Sequence, residues 1–212
     1  MRFGVHLVAA GQMIEGDAIA RVATRAEELG YDSLWVSDHI IFPAALASPY
    51  PYSPDGKLPL DPDNPFLEPF TVLSYAAAVT KTIKIGTSVI IVPYRDPIIT
   101  AKIVSTLDVL SGGRFIFGVG IGWMEEEFKA LRLEKKNRVP QTREALEAMV
   151  ACWTQAEPEY HGRFFDFAGI RFAPKPLQKP YPPIWFGGTS EPALKRAVAL
   201  GSGWHSVWET PE

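Results

Sequence analysis

The sequence contains a single cysteine, Cys152, and almost no net charge. One cysteine excludes an intrachain disulfide and is typical of a reducing compartment, so we expect a cytoplasmic protein. The 21 basic and 24 acidic residues leave a formal net charge of -3, which argues against a nucleic-acid-binding surface. No apolar run approaches the ~18 residues that a membrane span requires. The 47% of hydrophobic residues instead predict one globular domain over residues 1–212.

Patterns for metal binding and for nucleophilic catalysis are lacking as well. The chain has four histidines: His6, His39, His161 and His205. They form no HxH or HExxH motif, and there is no cysteine pair, so we predict no metal site. No Gly-x-Ser-x-Gly turn is present. Cys152 lies in a predicted helix and is interpreted as a buried core residue. The acidic residues 125–127 are interpreted as the solvated start of a helix, where negative charge suits the dipole.

Strand-like and helix-like segments alternate along the chain. Apolar spacing on one face predicts a helix from residue 19 that ends at Gly30, and Asp96 is predicted to cap a helix that ends at residues 111–113. Such alternation predicts an α/β fold with a parallel sheet. Further helices are predicted at residues 69–80, 139–155 and 191–200, and strands at residues 2–8, 33–37, 83–92, 114–118, 184–186 and 204–207.

The six predicted strands leave two architectures open. A (β/α)8 barrel has eight strands in ~250 residues typically and in ~200 at the least. Six strands therefore form either an open sheet or a barrel that lacks its last two strand–helix units. Residues 209–212 look like the beginning of another helix. We therefore favour a barrel that is truncated after about six strands.

Two long segments interrupt the alternation. Residues 43–65 contain seven prolines, and a loop of this length in a compact domain is commonly functional. Residues 158–183 include a predicted short hairpin that is followed by a proline-rich crossover. Each segment either covers a site or is a surface insertion. We treat both as insertion loops of the single domain.

An ionisable pair follows the second predicted strand. Parallel α/β folds place their sites at the carboxyl ends of strands, so Asp38 and His39 are candidate catalytic residues. Histidine exchanges protons readily near pH 7, and Asp38 either orients its ring or binds elsewhere. The alternative is that Asp38 caps a turn while His39 packs under the proline-rich loop.

Glycines follow or interrupt two further strands. Gly118, Gly120 and Gly122 match a dinucleotide-binding pattern only weakly, but they indicate a close backbone approach or a positive φ. The alternative is a glycine-rich loop without a ligand. Small residues at 86–89 indicate either a bulge or simply a long strand.

A possible anion site precedes the last predicted helix. Gly187, Gly188, Thr189 and Ser190 lie between a strand and a helix. Two glycines, two hydroxyl groups and the N–H groups of a helix N-terminus together predict a phosphate-binding loop. An ordinary helix N-cap is the alternative.

Four stretches resemble one known family. Their order and their spread over nearly the whole chain are similar to the luciferase-like monooxygenases, and within them to the branch that depends on the deazaflavin coenzyme F-420. The stretches are LWVSDHI (residues 34–40), IKIGTSVIIVPYRDP (83–97), LDVLSGGRFIFGVGIGWMEEEF (107–128) and PPIWFGGTSEPALKRA (182–197).

The resemblance implies a TIM-type barrel that binds F-420, or alternatively FMN, at the carboxyl ends of its strands. It implies that Asp38 and His39 contact the cofactor ring, and that a cis peptide bond between Ser88 and Val89 forms a bulge that supports the ring. It further implies that the glycine loop at residues 118–122 lies near the cofactor. The loop at residues 187–190 is implied to bind the cofactor phosphate.

The sequence also departs from the family at three positions. Trp123 stands where sugar-phosphate-oxidising members have a glutamate, and Gly120 stands where bioluminescent members have a reactive cysteine. Ser202 replaces the aspartate that usually precedes the Gly-Trp of the sixth strand. The first of these differences argues against the reaction of the sugar-phosphate-oxidising members.

The function that the resemblance implies is hydride transfer between F-420 and a small organic substrate, with His39 as proton donor or orienting group. One alternative is an FMN-dependent monooxygenase of the same family that uses molecular oxygen. Another is an incomplete barrel that acts as a non-catalytic subunit. An open sheet edge favours association, so we expect a homodimer.

Overall fold

One parallel sheet organises the chain. The computed structural model describes residues 2–14, 17–58, 61 and 63–207. The main strands pair side by side in parallel, and the short β4 (Ile90–Ile91) also pairs with β5. In their order across the sheet they are β1 (Gly4–His6), β2 (Ser33–Val36), β3 (Lys84–Thr87), β5 (Phe115–Gly120), β8 (Ile184–Gly187) and β9 (Gly203–His205).

Helices connect these strands, as the alternating pattern predicts. Asp96 caps α3, because its carboxylate accepts the N–H groups of Ile98 and Ile99 at 2.9 and 3.1 Å. Pro97 occupies the first turn of that helix, where it leaves no N–H group unpaired. The helices are α1 (Ala18–Glu28), α2 (Pro69–Val79), α3 (Pro97–Leu110), α4 (Glu125–Ala130), α5 (Arg138–Thr154) and α6 (Glu191–Leu200).

The hydrophobic core lies between the sheet and the helices. Every residue of β2 and of β5 is buried, as expected for strands that are covered on both faces. Phe117 packs against Trp153 of α5 with ring centroids 6.2 Å apart. Cys152 is fully buried in this core, so its interpretation as a core residue is confirmed.

Two tryptophans pack together across the opposite, concave face of the sheet. The ring centroids of Trp35 and Trp185 lie 5.1 Å apart. Trp35 lies over glycines of both neighbouring strands: a Cβ atom at Gly4 would come within 2.6 Å of its ring and one at Gly86 within 2.5 Å. Gly203 makes the same room for Trp185. Glycine is required at these strand positions because the indole rings occupy the space of a side chain.

The structure corrects one predicted strand and shortens others, among them the strand predicted at residues 2–8, which is β1. Residues 83–92 do not form one strand, because β3 ends at Thr87 and only β4 follows before a 3-10 turn at Val92–Tyr94. The strand predicted at residues 204–207 is β9, which ends at His205. Within the described residues the sheet remains open, with β1 and β9 as its edges, so the expected homodimer stays a prediction. The helix start predicted at residues 209–212 lies outside the described residues.

The two predicted insertion loops differ in structure. The hairpin predicted in residues 158–183 is present as the antiparallel pair β6 (Tyr160–His161) and β7 (Asp166–Phe167). The described residues of the 43–65 segment contain no helix or strand. None of the helices that the structure describes is long and apolar enough to cross a membrane.

Glu27 on α1 holds the connection between α2 and β3. Its carboxylate accepts the backbone N–H groups of Lys81, Thr82 and Ile83 at distances between 2.6 and 3.1 Å. Burial alone would raise the pKa of Glu27, but these hydrogen bonds lower it to about 2. One ionised side chain therefore fixes the approach of a strand to the sheet.

We expect Glu27→Gln to lower the free energy of unfolding at neutral pH by about 1–2 kcal/mol, because N–H groups bind a charged acceptor more strongly than a neutral one. Since the folded-state pKa is depressed, the stabilisation is present above about pH 4.5 and is lost as the pH falls towards about 2. Urea unfolding at several pH values measures the difference. Glu28→Gln, which removes an exposed partner of Arg25, is the control, and equal effects of the two substitutions would contradict the prediction.

Candidate cofactor site

A cavity of about 990 Å³ lies at the carboxyl ends of the parallel strands. Its volume is in the range of small-molecule and cofactor sites. The structure brings together here ten of the eleven predicted site residues, with Gly118 as the exception. These ten are Asp38, His39, Ser88, Val89, Gly120, Gly122, Gly187, Gly188, Thr189 and Ser190.

The chain bulges between β3 and β4, and the side chain of Val89 lies over the neighbouring strands. The peptide bond between Ser88 and Val89 is cis, as the family resemblance implies. A Cβ atom at Gly120 would lie 2.6 Å from Cγ2 of Val89, and one at Gly187 would lie 3.0 Å from its Cγ1. The two glycines therefore leave room for Val89 to form part of the cavity wall.

Gly118 and Gly122 have structural reasons to be glycine. Gly118 does not line the cavity; a Cβ atom there would lie 1.8 Å from the carbonyl oxygen of Thr87, so β3 and β5 approach too closely for any side chain. Gly122 has a φ of +77°, and a Cβ atom there would lie 2.8 Å from the ring of Phe128. Both the close approach and the positive φ that the glycine pattern indicates are present.

His39 is oriented by a buried glutamate. Its Nδ1 lies 3.1 Å from Oε2 of Glu127, and the same oxygen accepts the hydroxyl of Tyr94 at 3.0 Å. Oε1 of Glu127 accepts the backbone N–H groups of Ile40 and Ile41 at 2.6 and 3.3 Å. Burial would raise the pKa of Glu127, but the hydrogen bonds from His39 and from the backbone lower it, so the carboxylate is ionised.

This arrangement corrects the interpretation of residues 125–127 as a solvated helix start. Glu127 is fully buried and lines the cavity, although it follows two other acidic residues at the start of α4. The sequence analysis missed it because an acidic run at a helix N-terminus is usually solvated. The available signal was its position shortly after the glycine loop at residues 118–122.

Asp38 binds Arg95 and does not orient His39. Its carboxylate accepts both terminal nitrogens of Arg95 at 2.6 and 2.8 Å, and the backbone N–H group of Ile91 at 2.9 Å. Burial alone would lower the pKa of Arg95, but Asp38 and Glu68 raise it, so the guanidinium keeps its charge. The pair fixes the end of β2 to the segment that follows β4. Of the two roles considered for Asp38, the structure supports binding elsewhere.

Aromatic residues of the 43–65 loop form one wall of the cavity. The ring of Tyr50 packs edge-on against Tyr52 and Trp123, with centroids 5.5 and 5.3 Å apart. These three side chains all line the cavity. Of the two interpretations considered for this loop, the structure supports the one in which it covers a site.

Three hydrogen bonds attach this loop to the start of α4. The carboxylate of Glu126 accepts the backbone N–H groups of Ala47 and Ser48 at 2.7 and 2.9 Å. The hydroxyl of Ser48 in turn accepts the N–H group of Glu125 at 3.0 Å. Burial would raise the pKa of Glu126, but the hydrogen bonds with Ser48 and Ala47 lower it to about 2. The loop is therefore held by an ionised side chain.

The loop at residues 187–190 adjoins Arg196, which has one nitrogen without a partner among the described residues. Ser190 precedes α6, but its side chain caps no N–H group of that helix, so its hydroxyl remains available to the cavity. Arg196 lines the same cavity, and its buried Nε has no hydrogen-bond partner in the described part of the chain. Burial, and then the nearby Arg138, lower the pKa of Arg196. An anion would relieve both effects.

Polar residues at the base of the cavity were not predicted from the sequence. His6, Ser37 and His205 line the cavity together with Ser88. The available signal was position, because each lies at or just beyond the carboxyl end of a strand. No group of three or more His, Cys, Asp or Glu side chains among the described residues is arranged to hold a metal ion.

Comparisons with known proteins identify the family of this chain. Residues 1–212 match the model of the luciferase-like monooxygenase family, so the chain belongs to this family. An uncharacterized protein of Mycobacterium tuberculosis is 36% identical over 205 residues, which are 96% of this chain and 71% of that protein.

Two further relatives are named for an activity. An F-420-dependent glucose-6-phosphate dehydrogenase of Amycolatopsis mediterranei is 29% identical over 192 residues, 87% of this chain and 51% of that protein. An FMNH2-dependent dimethylsulfone monooxygenase of Pseudomonas putida is 33% identical over 141 residues, 65% of this chain and 38% of that protein.

The fold of this chain is also found in a solved structure. An F-420-dependent secondary alcohol dehydrogenase, solved with an F-420–acetone adduct, superposes with a TM-score of 0.78 at 24% identity. The match covers 99% of this chain and 59% of that protein, so the chain spans well under two thirds of its length. The likeness establishes an α/β fold of the luciferase-like TIM-barrel type.

We expect Glu126→Gln to increase the rate at which a protease cleaves residues 43–58 by about fivefold, because weakening the loop contacts by ~1 kcal/mol raises the open population by that factor. The contribution of the carboxylate is present above about pH 4.5 and is lost as the pH falls towards about 2. Limited proteolysis measures the change, with thermal unfolding as a check on the global fold. Glu125→Gln is the matched control, because its carboxylate pairs with Lys135 and not with the loop. Similar cleavage of both variants would refute the role of Glu126.

Proposed function

We propose that the chain binds the deazaflavin coenzyme F-420 in this cavity and transfers a hydride between it and a small organic substrate. The observation that carries the proposal is the placement of the His39–Glu127 pair, whose carboxylate is fully buried, in the same cavity as the glycine- and hydroxyl-bearing loop at residues 187–190. Such a cavity offers one group for proton transfer and one region for a phosphate. The relatives that are named for F-420 or FMN support this class of cofactor.

The residues present fit a phosphate-bearing cofactor. The loop at residues 187–190 leads into the N-terminus of α6, whose dipole favours an anion. Arg196 supplies a charged donor whose Nε has no partner in the described residues. The phosphate would be held by these residues with Thr189 and Ser190, and the ring would rest against the bulge at Val89. When bound, the cofactor supplies the two-electron chemistry.

His39 is the residue that we propose to move a proton. Because the ionised carboxylate of Glu127 only accepts hydrogen bonds, the Nδ1 of His39 carries a hydrogen and donates it. The Nε2 is then free to accept a proton from the substrate, or to return one after protonation. Glu127 fixes the orientation of the imidazole ring, as in other oriented histidines. The loop aromatics Tyr50 and Tyr52 exclude water from the substrate.

An FMN-dependent monooxygenase remains the second candidate, because an FMNH2-dependent relative is 33% identical over 141 residues. The F-420-dependent relative matches a larger share of this chain, 87% against 65%, and for this reason we favour F-420. Fluorescence titration with F-420 and with FMN distinguishes the cofactors, and oxygen consumption with reduced FMN tests the second activity. If neither cofactor binds at micromolar concentrations, the chain does not have the proposed activity.

We expect His39→Ala to reduce kcat by about 100-fold or more, because a positioned acid or base contributes at least that factor. The Kd of the cofactor is expected to change by less than about 13-fold, since one lost hydrogen bond contributes no more. Turnover with a panel of ketones and alcohols and cofactor titration measure the two effects. His161→Ala, which removes an exposed histidine of the β6–β7 hairpin, is the control. An equal loss of turnover and affinity would make His39 a binding residue.

We expect Arg196→Gln to weaken FMN binding by about tenfold or more, because a hydrogen bond between charged groups stabilises a complex by roughly 1.5–3 kcal/mol. Riboflavin lacks the phosphate, so its affinity is expected to stay the same. Lys195→Gln is the matched control, because Lys195 is exposed and pairs with Glu191. Equal weakening of FMN and riboflavin would show that Arg196 does not bind the phosphate.

A further inference from the structure

Hydrogen bonds connect four side chains at the base of the cavity, apart from the His39–Glu127 pair. The Nε2 of His6 lies 2.8 Å from Oγ of Ser37, and that hydroxyl donates to the backbone carbonyl of Ser88 at 3.1 Å. The hydroxyl of Ser88 lies 2.7 Å from Nε2 of His205. We call His6, Ser37, Ser88 and His205 the base network; all four residues line the cavity.

The positions of two hydrogens in the base network follow from donor counting. A serine hydroxyl has one hydrogen, and that of Ser37 is used at the Ser88 carbonyl. Ser37 therefore accepts a hydrogen bond from His6, so Nε2 of His6 carries a hydrogen. Burial lowers the pKa of His6 and favours its neutral form. The N–H group of Ser88 donates to the carbonyl of Val36, so the hydroxyl is the group of this residue that can donate to a ligand.

His205 is held in place to orient that hydroxyl. Its ring stacks on Trp35 with centroids 5.0 Å apart and an interplanar angle of 26°. Burial, followed by the nearby His6, lowers the pKa of His205, so the ring is neutral near pH 7. Of the two neutral tautomers of His205, the one with its hydrogen on Nε2 donates to Ser88, and the Ser88 hydrogen then points to another acceptor.

We propose that the Ser88 hydroxyl, oriented by His205, donates a hydrogen bond to a carbonyl oxygen of the molecule bound in the cavity. Ser88 touches the ligand, and His205 is a positioning residue that acts through it. The proposal rests on the proposed function, because flavin and deazaflavin rings and small ketones all carry such an oxygen. The carbonyl belongs either to the cofactor ring or to the substrate, and the two sources are distinguished below.

The first experiment compares ligand affinities of variants that separate hydrogen bonding from packing. Titration with F-420 and with FMN, run in parallel, gives the Kd. If the carbonyl belongs to the cofactor ring, Ser88→Ala and His205→Phe are expected to weaken cofactor binding by about 2- to 13-fold, the range of one hydrogen bond. If it belongs to the substrate, the same loss is expected in the affinity for acetone, with the cofactor affinity unchanged. His205→Gln is expected to restore most of the affinity, because its amide donates to Ser88. If His205 only packs, the order of the two His205 variants is reversed, and the proposal is wrong.

A matched control is available next to β9. The hydroxyl of Ser202 contacts the backbone of Ile184 and does not line the cavity, so Ser202→Ala is expected to bind cofactor like the unmodified chain. Thermal unfolding verifies that each variant is folded. A loss of affinity in Ser202→Ala equal to that in Ser88→Ala would contradict a specific role of the Ser88 hydroxyl.

The second experiment identifies the carbonyl by nitrogen NMR of labelled histidine, with His205→Gln used for assignment. When the ligand binds, the neutral tautomer of His205 with its hydrogen on Nε2 is expected to become fully populated. A shift with cofactor alone, together with weaker cofactor binding by Ser88→Ala, assigns the ring carbonyl. A shift only after acetone is added, with unchanged cofactor affinity, assigns the substrate carbonyl. No shift with either overturns the inference while cofactor binding stands; absence of cofactor binding to the unmodified chain overturns the proposed function as well.

Discussion

The site depends on one buried charge, the carboxylate of Glu127. A buried ion without partners is strongly destabilising, by about 3–5 kcal/mol when a partner of a buried pair is removed. Glu127 avoids this cost because His39, Tyr94 and two backbone N–H groups all donate to it. The donors come from the segment after β2 and from the turn after β4, so satisfying one carboxylate assembles three parts of the chain around the cavity.

Glycines shape the part of the cavity surface that a flat molecule can contact. Val89 projects over β5 and β8 only because Gly120 and Gly187 have no side chains. The ion pair of Asp38 and Arg95 holds the neighbouring segment in position at 2.6 and 2.8 Å. Shape and charge at the site thus have separate origins: the glycines create the room, and the buried carboxylates fix the walls.

Local features of the fold were predictable, whereas long-range partners were not. The alternation of elements and the cap at Asp96 depend on neighbouring residues, and the edge at which Asp38, His39 and the loop at 187–190 meet follows from parallel strands. Glu127 lies 88 residues from His39, and nothing local distinguishes it from the two acidic residues before it. The roles of His6 and His205 likewise arise from contacts across the sheet. The interruption of the strand predicted at 83–92 reflects packing of Val89 on distant glycines.

The indole ring of Trp35 has an optical consequence. Trp35 lines the cavity, stacks on His205 and packs against Trp185. A chromophore bound in the cavity would therefore lie close enough to both indole rings to accept their excitation energy. Light absorbed by these indoles would pass to a bound ring instead of being emitted. Quenching of tryptophan fluorescence would therefore report whether the cavity is occupied. The strand glycines that make room for the large side chains also make this possible.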